Sequence, residues 1–158
     1  MIETVEKTGL AIRNFFHADF DQVKELIKEF HGEALSAHGI TLDDETLNET
    51  LVSFIYPHIG IVAELDGNIV GCIGGIISKS IFNKNQIIAQ EAMWYVRKEY
   101  RNSTVGLRLL KAFENKCKEH KANLICMISL MNLNVEKVSE FYTKCGYTPM
   151  EFHFIKEI

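Results

Sequence analysis

EAMWYVRKEYRNSTVGL, residues 91–107, opens on apolar and aromatic residues suited to a strand and closes on small polar residues that lead into an amphipathic helix. It reads as strand, tight turn and helix N-terminus. The first turn of a helix has backbone N–H groups with no internal partner and the positive end of the macrodipole, and both favour an anion such as a phosphate. Arg101 stands at the entrance, the small side chains of Asn102, Ser103 and Thr104 follow, and Gly106 lets a ligand approach the backbone. Local chemistry alone leaves the alternative open that this turn is capped and solvated, as most are.

Ile87–Val96 is a long strand, and before it Ile59–Leu65 and Ile69–Ile77 are β-branched runs joined by Asp66-Gly67-Asn68, strong hairpin chemistry. Gly71, Gly74 and Gly75 in the second run allow either a bulge or close packing under a helix. Nearer the start, Gly9–Asn14 suits a short strand. Asp19 then caps a helix whose apolar face is Phe20, Val23, Leu26, Ile27 and Phe30 and which ends at Gly32, with a loop through Gly39. A second helix begins at Thr41, where Asp44 completes an approximate capping box, and stops near Pro57. After the turn come a helix over Thr104–His120, a buried strand over Asn123–Leu130, a helix over Asn134–Lys144 and a terminal strand over Met150–Ile158. The expectation is a single mixed α/β domain over residues 1–158, in the order β-α-α-β-β-β-α-β-α-β.

With 158 residues, 47% of them hydrophobic and 24% charged, the chain belongs with globular proteins rather than disordered ones. A net charge of −4 argues against broad electrostatic attachment to nucleic acid. No run of about twenty apolar residues exists to cross a membrane as a helix. The opening MIETVEKTGL is acidic where a signal peptide is basic. Cys72, Cys117, Cys126 and Cys145 are scattered and no close histidine pair occurs, so neither a disulfide framework nor a metal site is indicated, and a reducing, cytoplasmic setting is expected.

The order of residues from Val96 through Arg101 to Gly106 resembles the strand-to-helix signature of the GNAT superfamily of acyl-CoA-dependent N-acyltransferases, in which a Q/R-x-x-G-x-G/A loop wraps the coenzyme A pyrophosphate. Thr104 stands in place of the middle glycine and Lys98 in place of a frequent proline. A second likeness is Phe141-Tyr142-Thr143-Lys144-Cys145-Gly146-Tyr147, similar to the family's F-Y-x-x-x-G-F/Y element. The resemblance implies a central, mostly antiparallel twisted sheet with helices on both faces. It also implies acetyl-CoA as co-substrate without a metal, and direct attack of a primary amine on the thioester in a ternary complex. An inactive domain that binds acyl-CoA or a protein partner is the alternative.

On that resemblance the coenzyme would meet Trp94, Tyr95, Val96, Arg101, Asn102, Ser103, Thr104, Val105, Gly106 and Leu107, with a β-strand amide near Trp94 or Tyr95 receiving the thioester carbonyl. Tyr142 would be the general acid, because a phenol suits donation to a thiolate; plain packing is the alternative. Glu91 would be the base, alternatively a solvated or ion-paired residue. Strict alternation puts Glu91, Met93 and Tyr95 on one face and Gln90, Ala92 and Trp94 on the other, unless a bulge intervenes. Family members usually carry an asparagine at the place of Val135, so Asn134 is either a coenzyme contact displaced by one residue or a helix N-cap. The acceptor is expected to be a cationic small molecule or basic peptide, since residues 32–56 contain Glu33, Asp43, Asp44, Glu45 and Glu49 against no lysine or arginine. A homodimer is left open.

Overall fold

The computed structural model describes residues 9–158; the first eight residues of the segment read for a targeting signal lie outside them. The elements are β1 (Leu10–Asn14), α1 (Phe20–Phe30), α2 (Asp44–Ile55), β2 (Ile59–Leu65), β3 (Asn68–Lys79), β4 (Ile87–Val96), α3 (Val105–Glu119), β5 (Leu124–Cys126) and α4 (Val135–Lys144). The strands form one five-stranded sheet in sequential order, antiparallel except for the parallel β4–β5 pair. A parallel neighbour needs a crossover, and α3 supplies it.

Helices cover both faces of the sheet. On one side α1 and α2 press Val23, Leu26, Phe30, Leu51 and Phe54 against Val62, Cys72, Met93 and Tyr95. On the other, α3 presses Leu109, Phe113 and Cys117 against Ile61, Val70, Ile73 and Ala89. Successive residues of β2 and β3 therefore feed opposite cores, which is why those two runs are apolar almost continuously. The turn joining them has Asp66 at φ 51 and Gly67 at φ 80, the mirror-image turn whose twist suits a hairpin.

The glycines of β3 explain a break in register. A Cβ on Gly74 would lie 2.7 Å from the Phe54 ring, and one on Gly75 would lie 2.5 Å from the Phe113 ring. Rings from opposite helical layers thus press onto the strand at adjacent residues, and only glycine admits both. At that level β3 pairs Gly74 with Met93 but Gly75 with Glu91, leaving Ala92 as an unpaired bulge residue in β4.

Several sequence expectations need correction. Asp19 does not cap α1; its carboxylate accepts from the Phe16 amide at 2.9 Å and is gripped by both terminal nitrogens of Arg13. Gly32 does not end the first helical segment, which continues through a π-turn over His31–Leu35 and a 3-10 turn over Ser36–His38 before Gly39 stops it at φ 74. The cap of α2 is Asp43, whose carboxylate accepts from the Thr46 amide at 2.8 Å, so the helix starts at Asp44 rather than Thr41. The strand expected over Asn123–Leu130 is cut to Leu124–Cys126. The terminal strand over Met150–Ile158 is absent: these residues are exposed and join no ladder, since alternation marks a face that could be buried without supplying a partner strand.

Candidate active site

The site begins where β4 and β5 separate. Their ladder pairs Ile88 with Leu124, Ala89 with Ile125 and Gln90 with Cys126, then stops, while β4 runs on to Val96. Just past the last pair, Glu91 Oε2 accepts from the Ile128 amide at 3.0 Å, so a side chain takes the place of a ladder bond. The hydroxyl of Tyr142, reaching across from α4, donates to the Ile128 carbonyl at 2.8 Å. Ile128 is thus held at both its N–H and its C=O, by the two residues that the sequence offers as base and acid.

The bulge decides which way Glu91 faces. Directly paired residues share a face, and Gly75, the partner of Glu91, faces Phe113 of α3, whereas Met93 and Tyr95 pack in the core under α1 and α2. The alternation expected from sequence is corrected accordingly: Glu91 shares the α3 side with Trp94, away from Met93 and Tyr95. Glu91 is 5% exposed, and burial pushes its carboxyl up to about 7 against the opposing pull of the Ile128 N–H. Burial and then the nearby charge of Glu91 raise the Tyr142 hydroxyl above the ordinary phenol range, so it remains a protonated donor.

The Trp94 ring stands 6.0 Å from each of the Phe141 and Tyr142 rings. Its Nε1 and the Ser129 Oγ are buried with no hydrogen-bond partner among the described residues. These unspent groups sit on the two chains that part, and the sequence carried no sign of Ile128 or Ser129, since both lie in what reads as a plain apolar strand. Cys126 has its thiol pKa raised by burial and then by Glu151, which fits the inert packing expected for it.

The second group lies at the β4–α3 junction. Val96 ends β4, a 3-10 turn covers Lys98–Tyr100, and Arg101, Asn102, Ser103 and Thr104 are exposed. Thr104 takes a helical φ of −79, so the residue in the middle glycine's place needs no left-handed backbone. Val105 is buried in the α3 core, while the amides of Gly106 and Leu107 meet no acceptor among the described residues. A Cβ on Gly106 would approach only the Trp94 ring, at 3.6 Å, so the absent side chain leaves open space rather than relieving a clash.

Arg101 is already engaged. Its Nε donates to the Val96 carbonyl at 2.8 Å, its Nη2 donates to Glu33 at 3.0 Å, and the guanidinium lies 5.0 Å from the Tyr95 ring centre. The Tyr95 hydroxyl donates to Glu33 at 2.7 Å and to Glu29 at 3.2 Å. Burial would raise the Glu33 carboxyl, but the hydrogen bonds from Tyr95 and Arg101 outweigh it and hold the group below its ordinary pKa. Lys98 adds a contact at 3.5 Å. Of the acids expected to draw a cationic acceptor, Glu33 is therefore offset by cations from the β4–α3 junction and Asp43 serves as a cap, leaving Asp44, Glu45 and Glu49 exposed on α2. Asn134 occupies the N-cap position of α4 at φ 47, but its side chain makes no capping bond.

Among the described residues no cluster of His, Cys, Asp and Glu could hold a metal ion, and no helix is long and apolar enough to cross a membrane. The acetyltransferase (GNAT) domain family matches residues 56–149. No curated protein sequence matches the chain. Among solved structures, the chain is similar to an aminoglycoside acetyltransferase, meta-AAC0020, from an uncultured soil metagenomic sample: 16% identity, 94% of this chain and 96% of that one covered, TM-score 0.73. It is also similar to a ribosomal-protein-alanine N-acetyltransferase from Brucella melitensis, with 15% identity, 95% and 99% coverage and a TM-score of 0.74. A third, AAC(6')-Iy in complex with a bisubstrate analogue that joins CoA to acetylneamine, has 11% identity, 94% and 97% coverage and a TM-score of 0.72. At these identities the likeness is one of fold.

Proposed function

Because the chain belongs to the GNAT acetyltransferase family, we propose that it transfers the acetyl group of acetyl-CoA to a primary amine by direct attack in a ternary complex. The observation that carries this reading is the meeting of Glu91 and Tyr142 on Ile128 where β4 and β5 separate. A carboxylate lifted toward neutrality and a phenol kept protonated are the base and acid that aminolysis of a thioester needs.

The unspent amides of Gly106 and Leu107, the exposed loop from Arg101 to Thr104 and the open space beside Gly106 fit a pyrophosphate. Trp94 and Tyr95 lie on the part of β4 that has no β5 partner, and in this reading a backbone N–H there receives the thioester carbonyl. In the reaction Glu91 takes a proton from the acceptor ammonium. The amine nitrogen then bonds to the carbonyl carbon, the C–S bond breaks, Tyr142 gives its proton to the departing thiolate after releasing the Ile128 carbonyl, and the second proton that the nitrogen loses as the amide forms restores the Tyr142 phenol. The exposed acids of α2 favour a cationic amine entering from the α1–α2 side, and its proton reaches Glu91, on the α3 side of the sheet, through a water in the gap where β5 has ended.

One observation favours a second reading, in which the domain binds acyl-CoA without turnover: both the Tyr142 hydroxyl and the Arg101 guanidinium are already satisfied within the protein. Release of free thiol from acetyl-CoA across a panel of amines decides between them. Amine-dependent release supports transfer; coenzyme A binding with no release under any amine supports the second reading.

A further inference from the structure

α3 starts at the β4–α3 loop, and a cavity of about 150 Å³ lies at its other end. The helix has 15 residues, so about 22 Å along its axis separates the two. The cavity opens where β1 stops at Asn14 and β2 starts at Ile59, between the last turns of α2 and α3. Its inner wall is Phe15, Phe54 and Ile59, all buried. Gly60 lets the two phenylalanines close on the strand: a Cβ there would lie 2.8 Å from the Phe15 ring and 3.0 Å from the Phe54 Cβ. Phe15 is also stacked on Phe20 at 5.4 Å, and Phe54 bears on Gly74, so both rings are held on a second side.

The polar part of the lining is basic. His58, Lys116 and His120 border the cavity with Asn14, and among the described residues no acidic side chain does. Glu119, which pairs with Lys116 at 2.6 Å, has a side chain 62% exposed and is not part of the lining. The sheet itself orients His58. β2 begins one residue later, and the Ile77 amide of β3 donates to His58 Nδ1 at 3.3 Å. Accepting at Nδ1 puts the proton of the neutral ring on Nε2. That N–H has no acceptor among the described residues, so an unspent donor borders the cavity in a fixed orientation.

We propose that this cavity is a second ligand site, separate from the gap between β4 and β5, for a small monocyclic aromatic carboxylate. A volume of about 150 Å³ accommodates one six-membered ring. Phe15 and Phe54 give such a ring offset or edge contacts. The carboxylate accepts from His58 Nε2–H and sits beside the half-buried Lys116 and His120, where charge strengthens each hydrogen bond. Both parts of the ligand are required, because the apolar wall offers nothing to a charge and the basic rim nothing to a ring. The occupant rests on Phe54, the ring that also presses on Gly74 at the register break before Glu91. The inference does not depend on the acetyl-transfer reading.

Titration of the full chain with benzoate, followed by NMR through the backbone amides, tests it. Saturable shifts are expected at His58, Gly60 and Ile77, and they persist when coenzyme A is present. Benzyl alcohol, which has the ring without the charge, and acetate, which has the charge without the ring, are each expected to bind about tenfold more weakly or worse. His58→Ala and the double variant Lys116→Glu/His120→Glu should each weaken benzoate by about tenfold or more. The double variant, which leaves the His58 contact with Ile77 in place, decides the matter if His58→Ala fails to fold. No saturable shift at these amides, displacement of benzoate by coenzyme A, benzyl alcohol or acetate binding as tightly as benzoate, or undiminished affinity in a folded variant would each overturn the proposal.

Discussion

One strand, β4, has two halves with opposite characters. Residues 88–90 are paired on both edges, to β3 and to β5. From Glu91 to Val96 the β5 partner is gone. There the protein buries a carboxylate against a backbone amide, and Trp94 Nε1 and Ser129 Oγ have no partner among the described residues. A buried, underpaired polar group costs free energy in a folded protein. The second half is thus tuned for something other than stability, and replacing its polar groups separates the two roles.

The largest expected effect is on turnover. Glu91→Gln keeps an acceptor for the Ile128 amide but no base, and kcat should fall by roughly 10²–10⁴-fold at pH 8. Steady-state kinetics with a primary amine check this, and a loss under twofold would return Glu91 to a structural role. The same variant should gain stability. Glu91 has its folded pKa raised to about 7 from 4.5, so its favourable contribution is complete below the unfolded pKa and is lost as pH rises through about 7. Above that the ionised group costs about 3 kcal/mol at 1.36 kcal/mol per pKa unit. Glu91→Gln should therefore melt several degrees higher than wild type at pH 8 and nearly equal to it at pH 4; a uniform shift at both pH values would contradict the assignment.

Tyr142→Phe should lower kcat by about a hundredfold while changing coenzyme A affinity little. Calorimetry beside kinetics separates the two quantities, and an unchanged kcat would mark Tyr142 as packing alone. The smallest effect concerns the junction just past the end of β4, where Glu33 engages Arg101. Glu33→Gln removes a negative charge beside the phosphate loop and should tighten coenzyme A binding several-fold at low salt, the gain shrinking as salt rises. Unchanged affinity would show that Arg101 stands apart from the phosphates.

The parts of this comparison visible in the sequence are those fixed by neighbours along the chain. The β4-to-α3 passage, the Asp66-Gly67 hairpin and the apolar faces of α1 and α3 are all set by local period or turn chemistry, and they stand where the sequence puts them. The α2 cap slipped from Thr41 to Asp43 because both offer a side-chain acceptor at the right spacing. The bulge at Ala92 was invisible: it follows from two phenylalanine rings, on α2 and α3, meeting on adjacent glycines of a different strand. So was the shortening of β5, since an apolar run does not reveal that Glu91 takes the Ile128 amide from the ladder. Alternation in residues 150–158 says which face could be buried, not whether an edge is there to receive it. Pairings such as Glu33 with Arg101 connect distant parts of the chain and leave no local mark.

The bulge sets Glu91 on the dry α3 side of the sheet, where its carboxyl is poised near neutrality. Titration of its side-chain carboxyl carbon by ¹³C NMR, assigned through the signal lost in Glu91→Gln, measures this directly. A midpoint at about 7 is expected for the buried carboxyl; a midpoint near 4.5, the value of an ordinary solvated glutamate, would show that Glu91 is not held in a dry site.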